Sequence, residues 1–432
     1  MRTRTVVSSA ISGDRMAVGA VGLILTIALA SPILLSSGAL AQAISRTAVT
    51  HNAPASWTAK TPSRKFTTLY TFTGGTDGGS PAAGLVFDSS GNAYGTTEYG
   101  GANGYGTVFK LDPAGDESVL YAFTGGADGK NPVADLLLDK NGDLYGTVKW
   151  GGYCSRACGT VFKVNTQGET TLHQFKGDPD GSIPLAALVM DGAGILYGTT
   201  VDGGTSNAGT VFKLNRKGKE TVLYSFQGSS DGAEPASRLV FDGAGNLYGT
   251  TYHGGSNRCS SGCGTVFKVD KKTGVHTVLY AFKGGNDGNY PNAGLVRDKS
   301  GTLFGTTSTG GSAGDGTVFS ISAAGTETVL FSFTNNTLDG SYPLASLVID
   351  KQGHLYGTTW IGGYADVGVV FKCGPKGIEK RLYSFLGGND GGNPLADVVL
   401  DAEGNAYGTT SRYGAYGAGT VFKIASMAGG AR

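Results

Sequence analysis

Methionine and tryptophan are scarce in this chain, with four and three residues in 432, and neither sign of charge prevails: 34 lysines and arginines stand against 33 aspartates and glutamates. No basic run or stripe is present, which excludes the electrostatic footprint of a nucleic-acid binder. Beyond residue 43 no segment is long or apolar enough to cross a bilayer. Catalytic fingerprints are missing as well: there is no nucleophile elbow, His-Glu-x-x-His, P-loop, dinucleotide motif or Asp-box. What is abundant is glycine, at 74 positions without a Gly-X-Y period, together with 20 tyrosines and 19 phenylalanines. Glycine at fixed places in a long repeat supplies turns that need φ > 0, and aromatic enrichment favours strands over helices.

The first residues read as an export signal. Arg2, Arg4 and Arg15 precede an apolar stretch, Met16 to Leu35, followed by Ala39-Leu-Ala41-Gln-Ala43. Pro32 and the Ala-x-Ala pattern favour cleavage near Ala41 or Ala43 over a retained anchor. Residues 44–65 read as a flexible lead-in and 426–432 as a short tail, which leaves 66–425 for the folded body. A secreted or periplasmic location follows.

Four short signatures recur seven times in constant order. Tyr-Gly-Thr carries its aromatic at Tyr94, Tyr145, Tyr197, Tyr248, Phe304, Tyr356 and Tyr407, with spacings of 51, 52, 51, 56, 52 and 51. Gly-Thr-Val-Phe-Lys follows, starting at Gly106, Gly159, Gly209, Gly264, Gly316, Gly368 and Gly419 with small departures at Val369 and Ser320. Next come an aromatic strand such as Val119-Leu-Tyr-Ala-Phe123 and an apolar run ending in Asp, such as Leu85-Val-Phe-Asp88. Four strands per repeat of about fifty-two residues is the content of a propeller blade. Turns such as Asp88-Ser-Ser-Gly-Asn92 join two of the strands as a hairpin.

We name the strands a (Leu-Val-x-Asp), b (Leu-Tyr-Gly-Thr), c (Gly-Thr-Val-Phe-Lys) and d (Val-Leu-Tyr-x-Phe). The chain opens on a d strand, Thr67–Phe72, and closes on a c strand, Gly419–Ile424. Pairing the two removes an open sheet edge and closes a ring, so the expected fold is all-β: a seven-bladed propeller of four antiparallel strands per blade. The combined pattern resembles the Gloeo/Verruco tandem-repeat proteins of bacteria over about residues 66–425. The resemblance implies an exported repeat protein and carries no activity.

Cys154 and Cys158, and Cys259 and Cys263, sit in the b–c loops of blades two and four. Those loops run 14 and 16 residues from the Tyr of strand b to the Gly of strand c, against 12 elsewhere. Two local disulfides are expected, and no metal site. Cys373 occupies an apolar strand-c position and reads as a buried, inert thiol.

A residue present in every repeat serves the blade, so function is sought where the symmetry breaks. The Asp-Gly aspartates of the d–a loops (Asp77, Asp128, Asp180, Asp231, Asp287, Asp339, Asp390) therefore read as turn residues. The two positions after Tyr-Gly-Thr-Thr vary sharply, and d–a and b–c loops are expected to share one rim. Candidate ligand-binding residues are Glu98, Tyr99, Lys149, Trp150, Asp202, Tyr252, His253, Trp360, Arg412 and Tyr413, whose aromatic rings and polar groups suit a sugar or another polar ligand. Asp135, Arg238 and Asp397 are expected at the channel mouth. No catalytic residue is assigned, although His253 with Glu98 or Asp202 has the chemistry of an acid–base pair. The expected role is a non-catalytic binding or scaffold propeller meeting a glycan, peptide or extracellular or cell-surface protein. The alternative is a hydrolase or lyase acting on extracellular polysaccharide. No cofactor, nucleic acid or membrane span after signal removal is expected, and the chain is expected to be a monomer.

Overall fold

The computed structural model describes residues 65–426 except 153–157, 336–338, 375–376 and 378. The expected signal (1–43), most of the lead-in, Cys154 and the end of the tail lie outside those residues. The described chain is all-β, and a 3-10 turn at Gly285–Asp287 is the only helical element within it. Seven four-stranded antiparallel sheets follow one another around a ring. In blade 1, strand a is Val86–Phe87, b is Ala93–Thr97, c is Thr107–Leu111 and d is Glu117–Ala122. Strand a is innermost and d outermost, and the order a-b-c-d repeats in every blade.

Blade 7 takes its outer strand from the other end of the chain. Phe66–Thr71 pairs antiparallel with Thr420–Ile424, with Phe66 opposite Ile424 and Thr71 opposite Thr420. The expected ring closure is thus present. Two further bonds join blades 7 and 1: the Ser80 amide donates to the Ala418 carbonyl at 2.7 Å, and the Thr409 hydroxyl to the Ala83 carbonyl at 2.8 Å.

The repeated residues act at the seams between blades. Each strand c buries one phenylalanine completely, and so does the end of each strand d. The ring ending one blade meets the strand-c ring of the next edge-on, as in Phe72–Phe109 (5.1 Å), Phe226–Phe267 (5.2 Å) and Phe385–Phe422 (5.2 Å). The strand-c ring lies over the glycine of Tyr-Gly-Thr: a Cβ at Gly95 would sit 2.7 Å from Cζ of Phe109, so only glycine fits. The glycine opening strand c does the same for the next blade's proline, with Gly419 against Cδ of Pro81 at 2.7 Å from a notional Cβ. Both faces of a sheet are thereby buried. Cys373 is fully buried in one such seam beside Leu355 and Phe371.

Aspartates complete the turns. Asp77 accepts from the Tyr70 hydroxyl at 3.1 Å and the Thr73 amide at 2.7 Å. Asp128, Asp231, Asp287 and Asp390 repeat this, and His173 replaces the tyrosine at Asp180 (3.2 Å). In the a–b hairpins burial disfavours the charged form of Asp242, but donation by the Asn246 side chain and amide, Tyr248 and the Ala244 amide outweighs it and brings the carboxyl down to about 2. Asp88, Asp191, Asp298, Asp350 and Asp401 shift the same way.

Glutamates at the start of strand d behave oppositely. Glu117 is raised to about 7, first by burial and then by Asp77 across the seam. Glu327 is raised to about 7 by burial and Asp287, against Lys283. Glu169 and Glu220 are also raised by burial, facing Asp128 and Asp180. A depressed carboxyl contributes stability that is lost as pH falls through its folded value, whereas a raised one contributes stability that is lost as pH climbs toward its folded value. Thermal midpoints should therefore peak near pH 4–5, falling below about pH 4 and again between about pH 5 and 7. Glu117→Gln and Glu327→Gln should flatten the neutral limb only. A midpoint that rises steadily to pH 7 in the unaltered protein would remove this account of the seams.

Candidate functional site

The d–a and b–c loops do share one face. The d–a loop pairs antiparallel with the b–c loop of its own blade at Gly79–Tyr99, Lys130–Trp150, Ser182–Asp202, Ala233–His253, Asn289–Thr309, Ser341–Ile361 and Gly392–Arg412. The second variable position of each blade is thus a rung of a short rim ladder.

The first variable position hangs from a residue that sequence reasoning missed. Ser80, Asn131, Ile183, Glu234, Tyr290, Tyr342 and Asn393 each precede a proline, a place that biases toward extended backbone. All seven instead have φ between 53° and 59°. Each donates its amide to the preceding blade, as Asn131 does to the Tyr105 carbonyl (2.9 Å), and accepts from the first variable residue, as from Glu98 at Ser80 (3.1 Å). These bonds hold a conformation costing about 1 kcal/mol or more per residue. They also turn the first variable side chain under the rim: Glu98, Lys149 and Tyr252 are buried, at 1%, 4% and 7% exposure.

Burial lowers the Lys149 ammonium pKa, and the nearby Glu98 carboxylate opposes that shift. The Lys149 ammonium lies 5.2 Å from the centre of the half-buried Trp150 ring. Trp360, also half-buried, meets Tyr342 edge-on at 6.3 Å. His253 is buried and its Nδ1 lies 3.1 Å from Glu234, not against Glu98 or Asp202. Tyr252 and Tyr290 stack at 4.9 Å beside it. Asp202 is half-buried, its carboxyl raised by burial and by Glu234.

Asp135, Arg238 and Asp397 come together in the channel. They sit at one ring position otherwise filled by Gly84, Ala187, Gly294 and Ser346, in a cavity of about 160 Å³. Arg238 lies 3.8 Å from Asp135 and 3.5 Å from Asp397. Asp135 also accepts from the Gly84 amide at 2.6 Å. Burial and Asp135 push the Asp397 carboxyl up, and Arg238 resists. The three charges bridge blades 2, 4 and 7 across the bore. Cys259 and Cys263 form a disulfide in the longest b–c loop, whereas Cys154 of the other expected pair is outside the described residues. No group of three or more His, Cys, Asp or Glu suited to a metal occurs among the described residues.

The exposed aromatics have an uneven distribution. Eight large hydrophobic side chains are exposed among the described residues, and six lie on the loop face of three consecutive blades: Tyr364, Leu386, Tyr413, Tyr416, Tyr99 and Tyr105. Tyr416 is 67% exposed. Their loops are stitched together by Asn393 donating to Val367 (2.6 Å) and Ser80 to Ala418 (2.7 Å). Tyr413 stands where the other six blades place a glycine with positive φ, and it keeps φ 62°. Its ring lies over the backbone of Gly387 and Gly392, while the Tyr105 ring covers Gly125. Tyr364 stacks on Arg381, 4.2 Å from ring centre to guanidinium. Tyr99 and Tyr413 were candidates from the sequence. Tyr105, Tyr364 and Tyr416 were not, and their only signal was an aromatic in a loop otherwise built of glycine, alanine and polar residues.

Fold and site define a seven-bladed propeller with a loop-built face. The chain belongs to the Gloeobacter/Verrucomicrobia repeat family, whose model matches residues 31–261 and 256–432. No curated protein matches the chain. Among solved structures it is similar to the extracellular domain of a Bacteroides thetaiotaomicron protein described as a hybrid two-component system, at 13% identity and a TM-score of 0.54, covering 85% of this chain and 42% of that one. A second extracellular domain from that organism, described as belonging to a one-component system, is 16% identical with a TM-score of 0.54 over the same shares. A Bacteroides uniformis protein described as a 6-phosphogluconolactonase is 16% identical, with a TM-score of 0.46 over 70% of this chain and 84% of that one. The chain spans less than half the length of the first two. At these identities the likeness shows the fold alone.

Arg238→Ala would leave Asp135 and Asp397 facing one another in the bore. Urea unfolding at pH 7 should show a loss of about 2–4 kcal/mol, recovered in part by adding Asp135→Asn and Asp397→Asn. No loss would mean that channel water, and not the arginine, carries those charges.

Proposed function

We propose that this is an exported, non-catalytic binding propeller that captures a glycan on its loop face. The observation that carries the reading is the aromatic arc over blades 6, 7 and 1, and above all Tyr413. A bulky residue with φ 62° is an outlier that costs about 1–3 kcal/mol where the symmetric solution, glycine, is available. Strain kept at one of seven equivalent positions points to selection for the side chain, and a flat phenol seated on bare glycine backbone is a ready stacking surface for a sugar ring. The export signal expected in residues 1–43 and the disulfide support action outside the cytoplasm.

A second reading is favoured by the pairing of buried His253 with half-buried Glu234 in the loops of blade 4, where the carboxylate orients the imidazole as in acid–base catalysis. It is a hydrolase or lyase acting on extracellular polysaccharide.

Both are tested with a glycan array and product analysis on the same protein. Tyr413→Gly should raise stability by about 1 kcal/mol while weakening binding about tenfold or more, and Tyr416→Ala should weaken binding alone. Binding unaltered in both variants would discard the arc. Polysaccharide cleavage that vanishes in His253→Ala would replace this reading with the enzymatic one.

A further inference from the structure

In the loops that carry the aromatic arc the carboxylates are mostly tied into turns, whereas the two cations are not paired among the described residues. These loops, 73–80, 98–106, 124–131, 361–368, 386–393 and 411–419, contain five carboxylates. Three are held by turns, Asp77 by Thr73 and Tyr70, Asp128 by Thr124 and Tyr121, and Asp390 by Leu386 and Tyr383, while Asp366 accepts the Gly362 amide at 2.9 Å and stays exposed beside Tyr364, at the blade-6 end of the arc and away from both cations in sequence. The fifth, Glu98, is buried under the rim near Lys149. The cations of the same loops are placed differently. Arg412 is a half-exposed rung of the rim ladder next to Tyr413, and Lys130 lies 5.5 Å from the centre of the Tyr105 ring. Neither forms a salt bridge among the described residues.

Resting on the glycan reading above, we infer that the arc selects an anionic polysaccharide, in which sugar rings stack on the tyrosines while carboxylates of the polymer meet Arg412 and Lys130. A guanidinium takes a carboxylate through two parallel hydrogen bonds, and a cation already seated on an aromatic face is held in place for the second contact. Spacing supports a polymer over a monosaccharide, because the rings belong to loops of three adjacent blades. A neutral glycan would use the tyrosines and leave both cations unanswered.

The test compares polygalacturonate and alginate with carboxyl-reduced polygalacturonate, a neutral chain of the same backbone, by titration against the full chain. The acidic polymers should bind at least about tenfold more tightly, and the difference should shrink as NaCl rises from about 50 to 500 mM, where screening becomes short-ranged. Arg412→Ala and Lys130→Ala should each remove part of the preference, and the double variant should bind acidic and reduced polymers alike. Equal binding of acidic and neutral chains, lost in Tyr413→Gly, would overturn the anionic selectivity and leave the glycan reading standing. Binding to none of these polymers, nor to any sugar on the array, would overturn both.

Discussion

The structure depends on the seam between neighbouring blades. A single four-stranded blade has two apolar faces and no means of covering either, so each repeat is stable only between two others. The seam is specified by a phenylalanine meeting a phenylalanine edge-on and by a glycine lying under a proline. Repeated seven times, these contacts would still leave two raw faces in an open row. The strand Phe66–Thr71 converts the row into a ring by completing the last blade from the first residues of the fold. The seam between blades 7 and 1 then has the same contacts as the other six, down to Phe72 on Phe109 and Gly419 on Pro81.

Once the ring is closed, its two ends are free to differ. On the loop face two backbone features recur in every blade: a left-handed residue before proline and a ladder rung between the d–a and b–c loops. Side chains at these repeated positions break the symmetry, and the b–c loops of blades 2 and 4 are longer than the rest. The arginine in the bore ties three blades together with charges that no other repeat carries. Tyr413 departs further, since it forces a side chain into a backbone conformation that six blades give to glycine. The scaffold tolerates that cost because the surrounding hydrogen bonds over-determine the loop.

The fold was legible in the sequence because its rules are periodic. Turn aspartates, seam aromatics and close-approach glycines recur every fifty-odd residues, and the phase of the first and last strands announced the closure. The site was legible only in part. Variable positions such as Glu98, Lys149 and Tyr252 were conspicuous, but whether a side chain faces solvent depends on backbone direction, and the left-handed residue opposite turned them inward. That residue escaped notice because the ordinary preference before proline is extended. Tyr105, Tyr364 and Tyr416 escaped notice for another reason: their significance lies in sharing one arc of the ring, which appears only after the blades are placed in order. The Asp135–Arg238–Asp397 group lay between the cases, with position readable from strand phase and pairing visible only across the bore.

The measurement that bears most directly on the closed ring is amide hydrogen exchange of the full chain, followed peptide by peptide. Closure through the leading strand predicts that residues 66–72 are as protected as the outer strands 117–122 and 220–225, and that they exchange only with global opening. Exchange of 66–72 at the rate of an unstructured chain, with the remaining blades still protected, would contradict it.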